Sequence, residues 1–313
     1  MSVDVDAFEA ARPRLLGIAY RMLGSRVEAE DVVGDVAERW SAADRDAIRT
    51  PEGWLVTVTT RRSLDVLRSA RLQRESYPGT WLPEPIATDG TPDLDVERRE
   101  SLTLGFLVLL ERLTPIERAV LVLHDALDYP HDLVAEAVGR SEDACRQALH
   151  RARSHVTVPA RRTAADRRQA EAVAEHFMAV GFGGDIDSLL GALSPDVVVT
   201  SDGGGIARAA VRNVVGRDRV ARFLQGLAKR AGADPLLVPC ELNGYPGALI
   251  LVPDGWGAFA MENDGDVVVR IHVVTNPAKL ERLVASLSPA TDGRPGPWAA
   301  LRGFRYRNGQ PVT

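Results

Sequence analysis

Cysteine is scarce in this 313-residue chain: Cys145 and Cys240 are the only two, and they form no C-x-x-C pair. This scarcity excludes a disulfide-framed scaffold and a cysteine-based metal site, and it favours a reducing cytoplasm. The longest apolar runs are far too short to cross a bilayer, and the acidic start MSVDVDAFEA is not a signal peptide. The chain also lacks a Walker sequence and a G-x-G-x-x-G motif. We therefore expect a cytoplasmic protein with no cofactor, no metal and no membrane contact.

Lysine is almost absent as well, since only Lys229 and Lys279 interrupt a basic complement of 38 lysine and arginine residues. We attribute this bias to GC-rich coding. A formal net charge of −5 excludes a uniformly basic surface, but a local basic patch remains compatible with it. Such a patch exists, because seven arginines and a single acid, Asp166, lie between Arg146 and Arg168. This stretch is a candidate nucleic-acid contact.

The first half of the chain has helical periodicity. Apolar stripes predict helices over 6–23, from the Ser25 capping box to about Trp40, and from Pro51 to about Arg74. Prolines and acids predict an extended linker over 78–100. Further helices are predicted over about 94–113, from Thr114-Pro115 onward, and over 131–138 and 142–156. The chain thus divides into an all-α domain over 1–77, the linker, and a second all-α domain over 101–158.

A helix-turn-helix is predicted over residues 131–156. A short amphipathic helix ends before Gly139, and Ser141 caps a second helix with a buried stripe and a basic outer face. Arginine and glutamine at the start of such a helix pair with base edges, and later arginines bind phosphates. The alternative is an amphipathic helix with a solvated basic face. The candidate DNA-binding residues on this helix are Arg146, Gln147, His150, Arg151 and Arg153.

The second half predicts an α+β domain over 165–288. Two helices precede the strand-like segment PDVVVTSD, and a helix near 217–230 precedes four predicted strands, with Asp264-Gly265 as a hairpin turn. Alternation in the last strand puts Arg270 and His272 on one face. Together with Asp202 they are acid–base candidates for an enzyme, and the simpler explanation of Asp202 is a tight glycine turn. A loosely ordered tail is expected over 289–313.

Three long strings resemble extracytoplasmic-function sigma factors of RNA polymerase: AYRMLGSRVEAEDVVGDVAERW, PEGWLVTVTTRRSLDVLRSAR and LTPIERAVLVLHDALDYPHDLVAEAVGRSEDACRQALHRAR. Three shorter segments resemble the SigJ-type subgroup, which carries a SnoaL-like C-terminal cone domain. They comprise Trp81, Leu82, Pro83, Glu84 and Pro85; Asp202, Gly203, Gly204 and Gly205; and Asn276, Pro277, Lys279 and Leu280. The resemblance implies that these segments form an interdomain regulatory contact.

The resemblance also implies specific partners. The second helix would bind the β′ clamp helices of core polymerase through Glu30, Asp31, Val32, Val33 and Asp35, although Val32 and Val33 also suit a core. The loop after Trp40 would capture a base of the −10 element, but it contains no aromatic residue. Arg61 and Arg68 either face DNA or form a surface ladder with Asp65. The second all-α domain would contact the β flap and read the −35 element.

The expected function is therefore that of a non-catalytic sigma factor regulated in cis, without a separate anti-sigma protein, and with an unidentified small ligand as an option in the cone. One rival is a ligand-sensing repressor, which would need the helix-turn-helix but no polymerase contact. The other rival is a SnoaL-type enzyme with a vestigial DNA-binding region, which would lose turnover when Asp202 or His272 is replaced.

Overall fold

The computed structural model describes residues 3–88, 101–158, 163–183, 186–231, 236–252, 255–287, 305–307 and 310–312. The chain forms two compact units, Met1–Ser76 with Thr91–Arg161, and Tyr77–Gly90 with Arg162–Thr313. The helices in the described part of the chain contain no apolar stretch of the length that a membrane span needs.

The described part of the N-terminal unit contains helices and no strand. Its helices are α1 (Val3–Leu23), α2 (Arg26–Ala42), α3 (Pro51–Glu75), α4 (Leu104–Leu110), α5 (Pro115–Leu121), α6 (His131–Val138) and α7 (Glu142–His155). A short 3₁₀ helix covers Arg45–Ala47 and a π-helical turn covers Val122–Ala126. The Ser25 hydroxyl accepts a hydrogen bond from the Glu28 amide, and Thr114 and Glu117 form a complete capping box. Both predicted helix starts are confirmed.

The helix predicted over about 94–113 is shorter where the structure describes it. It begins only at Leu104, because the Thr103 hydroxyl accepts a hydrogen bond from the Phe106 amide and caps a new start. Residues 94–100 lie outside the described part of the chain.

Two buried arginines link distant helices of the N-terminal unit. Arg118 on α5 is 2% exposed and donates to the Met22 carbonyl of α1 at 2.7 Å and to the Leu110 carbonyl at 3.0 Å. Arg21 on α1 is fully buried and donates to the Ser101 hydroxyl at 2.8 Å. Because a buried charge is tolerated only when it is paired and hydrogen-bonded, these contacts fix the α1 and α4–α5 segments against each other.

The C-terminal unit is a mixed sheet with helices packed against it. Its helices are α8 (Ala164–Gly183), α9 (Ile186–Ala192), α10 (Arg217–Ala231) and α11 (Pro277–Leu287). Its six-stranded sheet has the order β2-β1-β6-β5-β4-β3, with β1 (Leu193–Asp202), β2 (Val214–Val215), β3 (Leu236–Leu242), β4 (Tyr245–Val252), β5 (Gly255–Asp264) and β6 (Val267–Val274). Only the β1–β6 pair is parallel. This architecture confirms the predicted α+β domain. Of the predicted tail, the structure describes only a small hairpin of β7 (Arg305–Arg307) and β8 (Gln310–Val312).

Two hairpin turns organise the antiparallel strands. The turn between β5 and β6 is Gly265-Asp266, one residue later than predicted, because Asp264 already pairs with Val267. The β3–β4 turn was missed, although Asn243-Gly244 is a strong signal for a type I′ turn. Both of its residues have positive φ, 52° and 75°.

Candidate functional site

The helix-turn-helix occupies α6 and α7. Gly139 ends α6 in the left-handed conformation, with φ 65°, and the Ser141 hydroxyl accepts a hydrogen bond from the Ala144 amide at 3.2 Å. The inner face of α7 is buried through Cys145, Ala148, Leu149 and Ala152. The predicted motif is therefore confirmed.

The outer face of α7 is exposed and carries all five candidate DNA-binding side chains. Arg146 is paired within its own first turn, with Glu142 at 3.1 Å and Asp143 at 2.7 Å. Gln147 and His150 have no side-chain hydrogen bond or ion pair with any described residue. Gln147 is therefore the side chain at the start of α7 that is most available to a base edge.

Arg151 and Arg153 are held from outside α7. Arg151 binds Glu117 at 2.8 Å, and Arg153 binds both carboxylate oxygens of Asp125 at 2.8 and 2.6 Å. Partial burial alone would raise the pKa values of these two acids. Hydrogen bonds from Arg151 and Thr114 to Glu117, and from Arg153 and His124 to Asp125, outweigh it and lower both. These arginines are oriented by fixed anions, which suits contacts that set register rather than read bases.

The π-helical turn before α6 positions Asp125. His124 contacts Asp125 at 2.8 Å, and its ring stacks on that of His131 with centroids 4.1 Å apart. Burial, followed by repulsion from His124, lowers the pKa of His131. Sequence reasoning missed this turn, because a π-helical insertion changes backbone hydrogen bonding without a distinctive residue pattern.

The candidate residues of α3 have different partners. Arg68 pairs with Asp65 at 3.2 Å, as a surface ladder requires. Arg61 does not join that ladder, because it donates to the Glu136 carbonyl at 2.8 Å, near the end of α6. Carbonyls in a last helical turn lack intrahelical partners, and a guanidinium supplies one.

The five candidate polymerase-binding residues of α2 divide into two sets. Val32 and Val33 are 1% and 4% exposed, so they lie in the core rather than on a contact surface. Asp31 is exposed, Glu30 pairs with Arg26 at 2.7 Å, and Asp35 pairs with Arg62 at 2.5 Å. The acids therefore remain the candidates for a surface contact, because an amphipathic helix buries its apolar face and exposes the opposite, polar face.

The loop after α2 borders a pocket of about 510 Å³. The loop itself has no aromatic residue, but Trp54 of α3 lines the pocket, and the Trp40 ring lies 5.4 Å from that of Trp54. Glu136 of α6 also lines it. The missing aromatic surface is therefore supplied by the next helix.

Asp202 is the centre of a buried polar cluster at the end of β1. Its side chain is fully buried and accepts four hydrogen bonds. Oδ1 receives Tyr77 Oη at 2.6 Å and the Gly204 amide at 2.9 Å, and Oδ2 receives the Leu82 amide at 2.8 Å and Lys279 Nζ at 2.7 Å. Four bonds fill the acceptor capacity of a carboxylate. Burial, with the hydrogen bond and charge of Asp202, raises the pKa of Tyr77.

Lys279 also connects the cluster to two aromatic rings, those of Tyr77 and Trp81. Its ammonium lies 4.2 Å from the ring centroid of Trp81 and 5.0 Å from that of Tyr77, and it also donates to the Leu82 carbonyl. Cation–π contacts of a desolvated ammonium are stabilising. The structure thus brings the three predicted regulatory segments together.

The glycines after Asp202 make close contact with the other segments. Gly204 and Gly205 have φ values of 63° and 71°, which a side chain rarely adopts. A Cβ at Gly204 would lie 2.5 Å from the Asn276 amide nitrogen, and one at Gly205 would lie 2.5 Å from Pro78. Asn276 in turn donates to Tyr77 Oη at 2.9 Å. The glycine run is therefore needed for the close approach as well as for the turn.

Residues 77–88, here called the strap, continue along the C-terminal sheet. Leu82, Pro83, Glu84, Pro85 and Ile86 are all buried. Ile86 exchanges two hydrogen bonds with Asn243, at 3.0 and 2.9 Å, and the Thr88 amide donates to the Glu241 carbonyl at 3.0 Å. The strap therefore adds to the β3–β4 hairpin. Residues 78–88 come from the stretch that the sequence predicts as a linker, whereas Tyr77 was placed in the first domain and belongs to the C-terminal unit. The partners of the strap lie over 100 residues away in the chain.

An apolar cavity of about 370 Å³ lies between strands β4, β5 and β6 and helices α8 and α10. Ile271 and Val273 of β6 line it, so Arg270 and His272 occupy the opposite face of that strand. His272 is buried and bonded to Glu262 at 2.8 Å. Asp202 is engaged by the strap. The candidate acid–base groups therefore do not meet in the cavity, which argues against the enzyme alternative.

Comparison with known proteins agrees with this arrangement. Residues 7–73 match the Sigma-70 region 2 family, and residues 104–156 match Sigma-70, region 4. The chain is 40% identical to the ECF RNA polymerase sigma factor SigJ of Mycobacterium tuberculosis, over 98% of this chain and 100% of the relative. It belongs to the extracytoplasmic-function sigma factors.

A solved structure and one further relative extend this assignment. The crystal structure of Mycobacterium tuberculosis SigJ superimposes with a TM-score of 0.71 at 35% identity, covering 88% of this chain and 98% of that one. A probable ECF RNA polymerase sigma factor SigI from the same species is 32% identical over 90% of this chain and 96% of its own length. In this sigma factor, region two and region four are the two helical parts of the N-terminal unit, and the C-terminal unit has the SnoaL-like fold. The strap lies between the two regions in sequence.

Proposed function

We propose that this sigma factor binds core RNA polymerase, reads the −10 element with region two and the −35 element with region four, and is regulated in cis by its SnoaL-like domain. It performs no catalysis in this scheme. Core polymerase and promoter DNA suffice as partners, and no separate anti-sigma protein is needed.

Recognition of the −35 element is assigned to α7. Gln147 and Arg146 face solvent at its start, where they would reach base edges in the major groove. Arg151 and Arg153, oriented by Glu117 and Asp125, would bind phosphates and fix the register. Region four would also contact the β flap.

Polymerase docking is assigned to the acidic face of α2. Glu30, Asp31 and Asp35 would bind the β′ clamp helices, while Val32 and Val33 support that face from inside. The pocket beside Trp54 would receive a base of the −10 element.

Regions two and four form one compact unit, and this supports a resting state that cannot engage a promoter. By their own numbering, −35 and −10, the two elements lie about 25 base pairs apart, or about 85 Å at about 3.4 Å per base pair. A compact body of about 150 residues is only about 40 Å across, from its expected radius of gyration. The Arg61 contact with Glu136 and the Arg118 contact with Met22 would therefore change before both regions bind DNA.

The observation that carries the proposed regulation is the bound strap. The SnoaL-like domain holds the chain segment that follows region two and precedes region four, through a buried carboxylate with four hydrogen bonds. Holding part of the connection shortens the free linker, and effective concentration rises as a linker shortens. A weak contact between the two regions is then sufficient to maintain the resting state, and release of the strap favours the open one.

In vitro transcription with core polymerase and no other protein tests this proposal. The chain supplies a matched pair of substitutions in its only two lysines, since Lys279 holds the strap and Lys229 is exposed on α10. Replacing Lys279 with methionine leaves the Asp202 charge without its cation, which for a buried pair costs about 3–5 kcal/mol. We expect Lys279→Met to raise transcription several-fold and to expose the strap to limited proteolysis.

Lys229→Met should behave like the unmodified protein in both assays. Transcription equal to the parent from a Lys279→Met protein whose strap is demonstrably cleavable would refute regulation through the strap. A full-length protein that binds neither core polymerase nor a promoter would instead refute the sigma-factor function.

A further inference from the structure

The SnoaL-like cavity has a composition that selects one class of ligand. Most of its lining is apolar, including Phe177, Leu224, Ile250 and Phe259. Its volume of about 370 Å³ lies within the usual range for small-molecule sites. Such a lining favours a compact hydrocarbon or aromatic body, because burial of apolar surface is the main source of its affinity.

The charges at the cavity all have one sign. Arg208, in the loop after β1, and Arg230, at the end of α10, both line it and are otherwise exposed. None of the described residues that line the cavity is acidic, and neither guanidinium has a side-chain partner in the described part of the chain. Guanidinium groups bind carboxylates through paired, charge-assisted hydrogen bonds. An anionic group on the ligand would supply the counter-charge that is lacking.

The cavity wall beside Arg208 is formed by backbone that is hydrogen-bonded to the Asp202 segment, whose carboxylate binds the strap. Thr275 lines the cavity, and its amide donates to the Asp202 carbonyl at 2.8 Å. Ala207 lines it too, and its amide donates to the Gly203 carbonyl at 2.9 Å. One short stretch of backbone therefore presents cavity wall on one side and the strap-binding carboxylate on the other.

We infer that this cavity is an effector site for a small apolar carboxylate, and that its occupation stabilises the hydrogen bonds between Asp202 and the strap. The hydrocarbon body lies against the sheet and α10, and the carboxylate lies between Arg208 and Arg230. Binding depends only on the C-terminal unit. Its consequence for transcription rests on the proposed regulation through the strap.

Isothermal titration calorimetry on the full-length protein separates the parts of this inference. Decanoate, decan-1-ol and decylammonium share one chain and differ in the head group. Decanoate should bind most tightly, because hydrogen bonds between charged groups are the strongest. The affinity of decanol should be at least about tenfold lower, and that of decylammonium lowest. Arg208→Gln with Arg230→Gln should bring decanoate down to the affinity of decanol. Arg212→Gln with Lys229→Gln is the control, because those two exposed cations lie outside the cavity lining.

A cavity-filling change, Ala228→Phe on α10, should abolish binding of decanoate and decanol alike, with thermal unfolding confirming that the variant is folded. Failure of all three probes to bind the parent protein would overturn the site. Equal binding of decanoate and decanol, or decanoate binding that survives the double arginine change, would overturn the carboxylate assignment.

Hydrogen exchange tests the coupling without any polymerase. The Leu82 amide donates to Asp202, so saturating decanoate should slow its exchange several-fold. Exchange of the amides of α7, which belongs to the N-terminal unit, should not change. Tight binding with unaltered Leu82 exchange would overturn the coupling. Because neither assay uses transcription, their failure is distinguishable from failure of the proposed sigma-factor regulation.

Discussion

Asp202 illustrates how a single residue depends on segments far apart in the chain. Its carboxylate is fully buried, yet each oxygen accepts two hydrogen bonds and Lys279 neutralises the charge. Removing any one partner leaves an unsatisfied buried group, which costs more than the bond contributes when formed. The resemblance placed Asp202 and Lys279 among the regulatory residues, but Tyr77 and Thr275 were missed. A tyrosine before a proline gives no local signal that its hydroxyl binds a carboxylate 125 positions away.

Gly34 provides a prediction at the scale of one residue. It lies inside α2 on an exposed face, and a Cβ built there meets nothing within 4 Å. Glycine inside a helix costs about 0.5–1 kcal/mol relative to alanine, mainly through backbone entropy. Gly34→Ala should therefore raise the free energy of unfolding by that amount, measured by urea denaturation. A destabilised variant would contradict the open environment of this position.

Helix α7 shows how the polar side chains of one element are held differently at its two ends. Gln147 has no partner among the described side chains, whereas Arg151 and Arg153 are fixed by acids outside the helix. The periodicity of the sequence predicted the buried and exposed faces of this helix. It did not predict the anchoring of the arginines, because Glu117 lies 34 residues earlier and Asp125 sits on the unforeseen π-helical turn.

This division predicts two different effects on −35 binding. Gln147→Ala should reduce discrimination between matched and mismatched −35 sequences by about 1–3 kcal/mol, because a base contact is lost. Arg151→Gln should weaken binding to all sequences alike and reduce the slope of log affinity against log salt by about one. Fluorescence anisotropy over a salt series measures both quantities. The assignment fails if Gln147→Ala weakens all sequences equally.

At the scale of the whole molecule, the strap makes the C-terminal unit discontinuous in sequence. A fragment of residues 163–287 contains Asp202, Lys279 and the β3–β4 hairpin but lacks the strap that covers them. If that fragment is folded by circular dichroism, a synthetic peptide of residues 77–88 should bind it in trans. Without the tether the contact loses an effective concentration of about the millimolar range, so we expect a dissociation constant between micromolar and millimolar.

The same peptide offers its own controls. Trp81→Ala should weaken binding, because the Lys279 ammonium loses an aromatic face and apolar burial is reduced. Gly79→Ala is unsuitable as a neutral control, since Gly79 has a φ of 87°. Thr80, which is neither bonded to Asp202 nor among the fully buried strap residues, is the better neutral position. A folded fragment that fails to bind the parent peptide would contradict the strap as a separable contact.

The sequence by itself determined the features that depend on near neighbours. Helix caps, the helix-turn-helix and the alternation of β6 each depend on residues within about four positions of one another. A single sequence is therefore enough to predict them. Resemblance then named the three segments that form the anchor. Only the tertiary structure decided that Val32 and Val33 are core, that Arg270 and His272 face away from the cavity, and that Tyr77 and the supposed linker residues 78–88 lie bound on the C-terminal sheet. The reason is physical: which face of an element is covered, and which distant donor fills a buried acceptor, depends on packing between segments that no local pattern records.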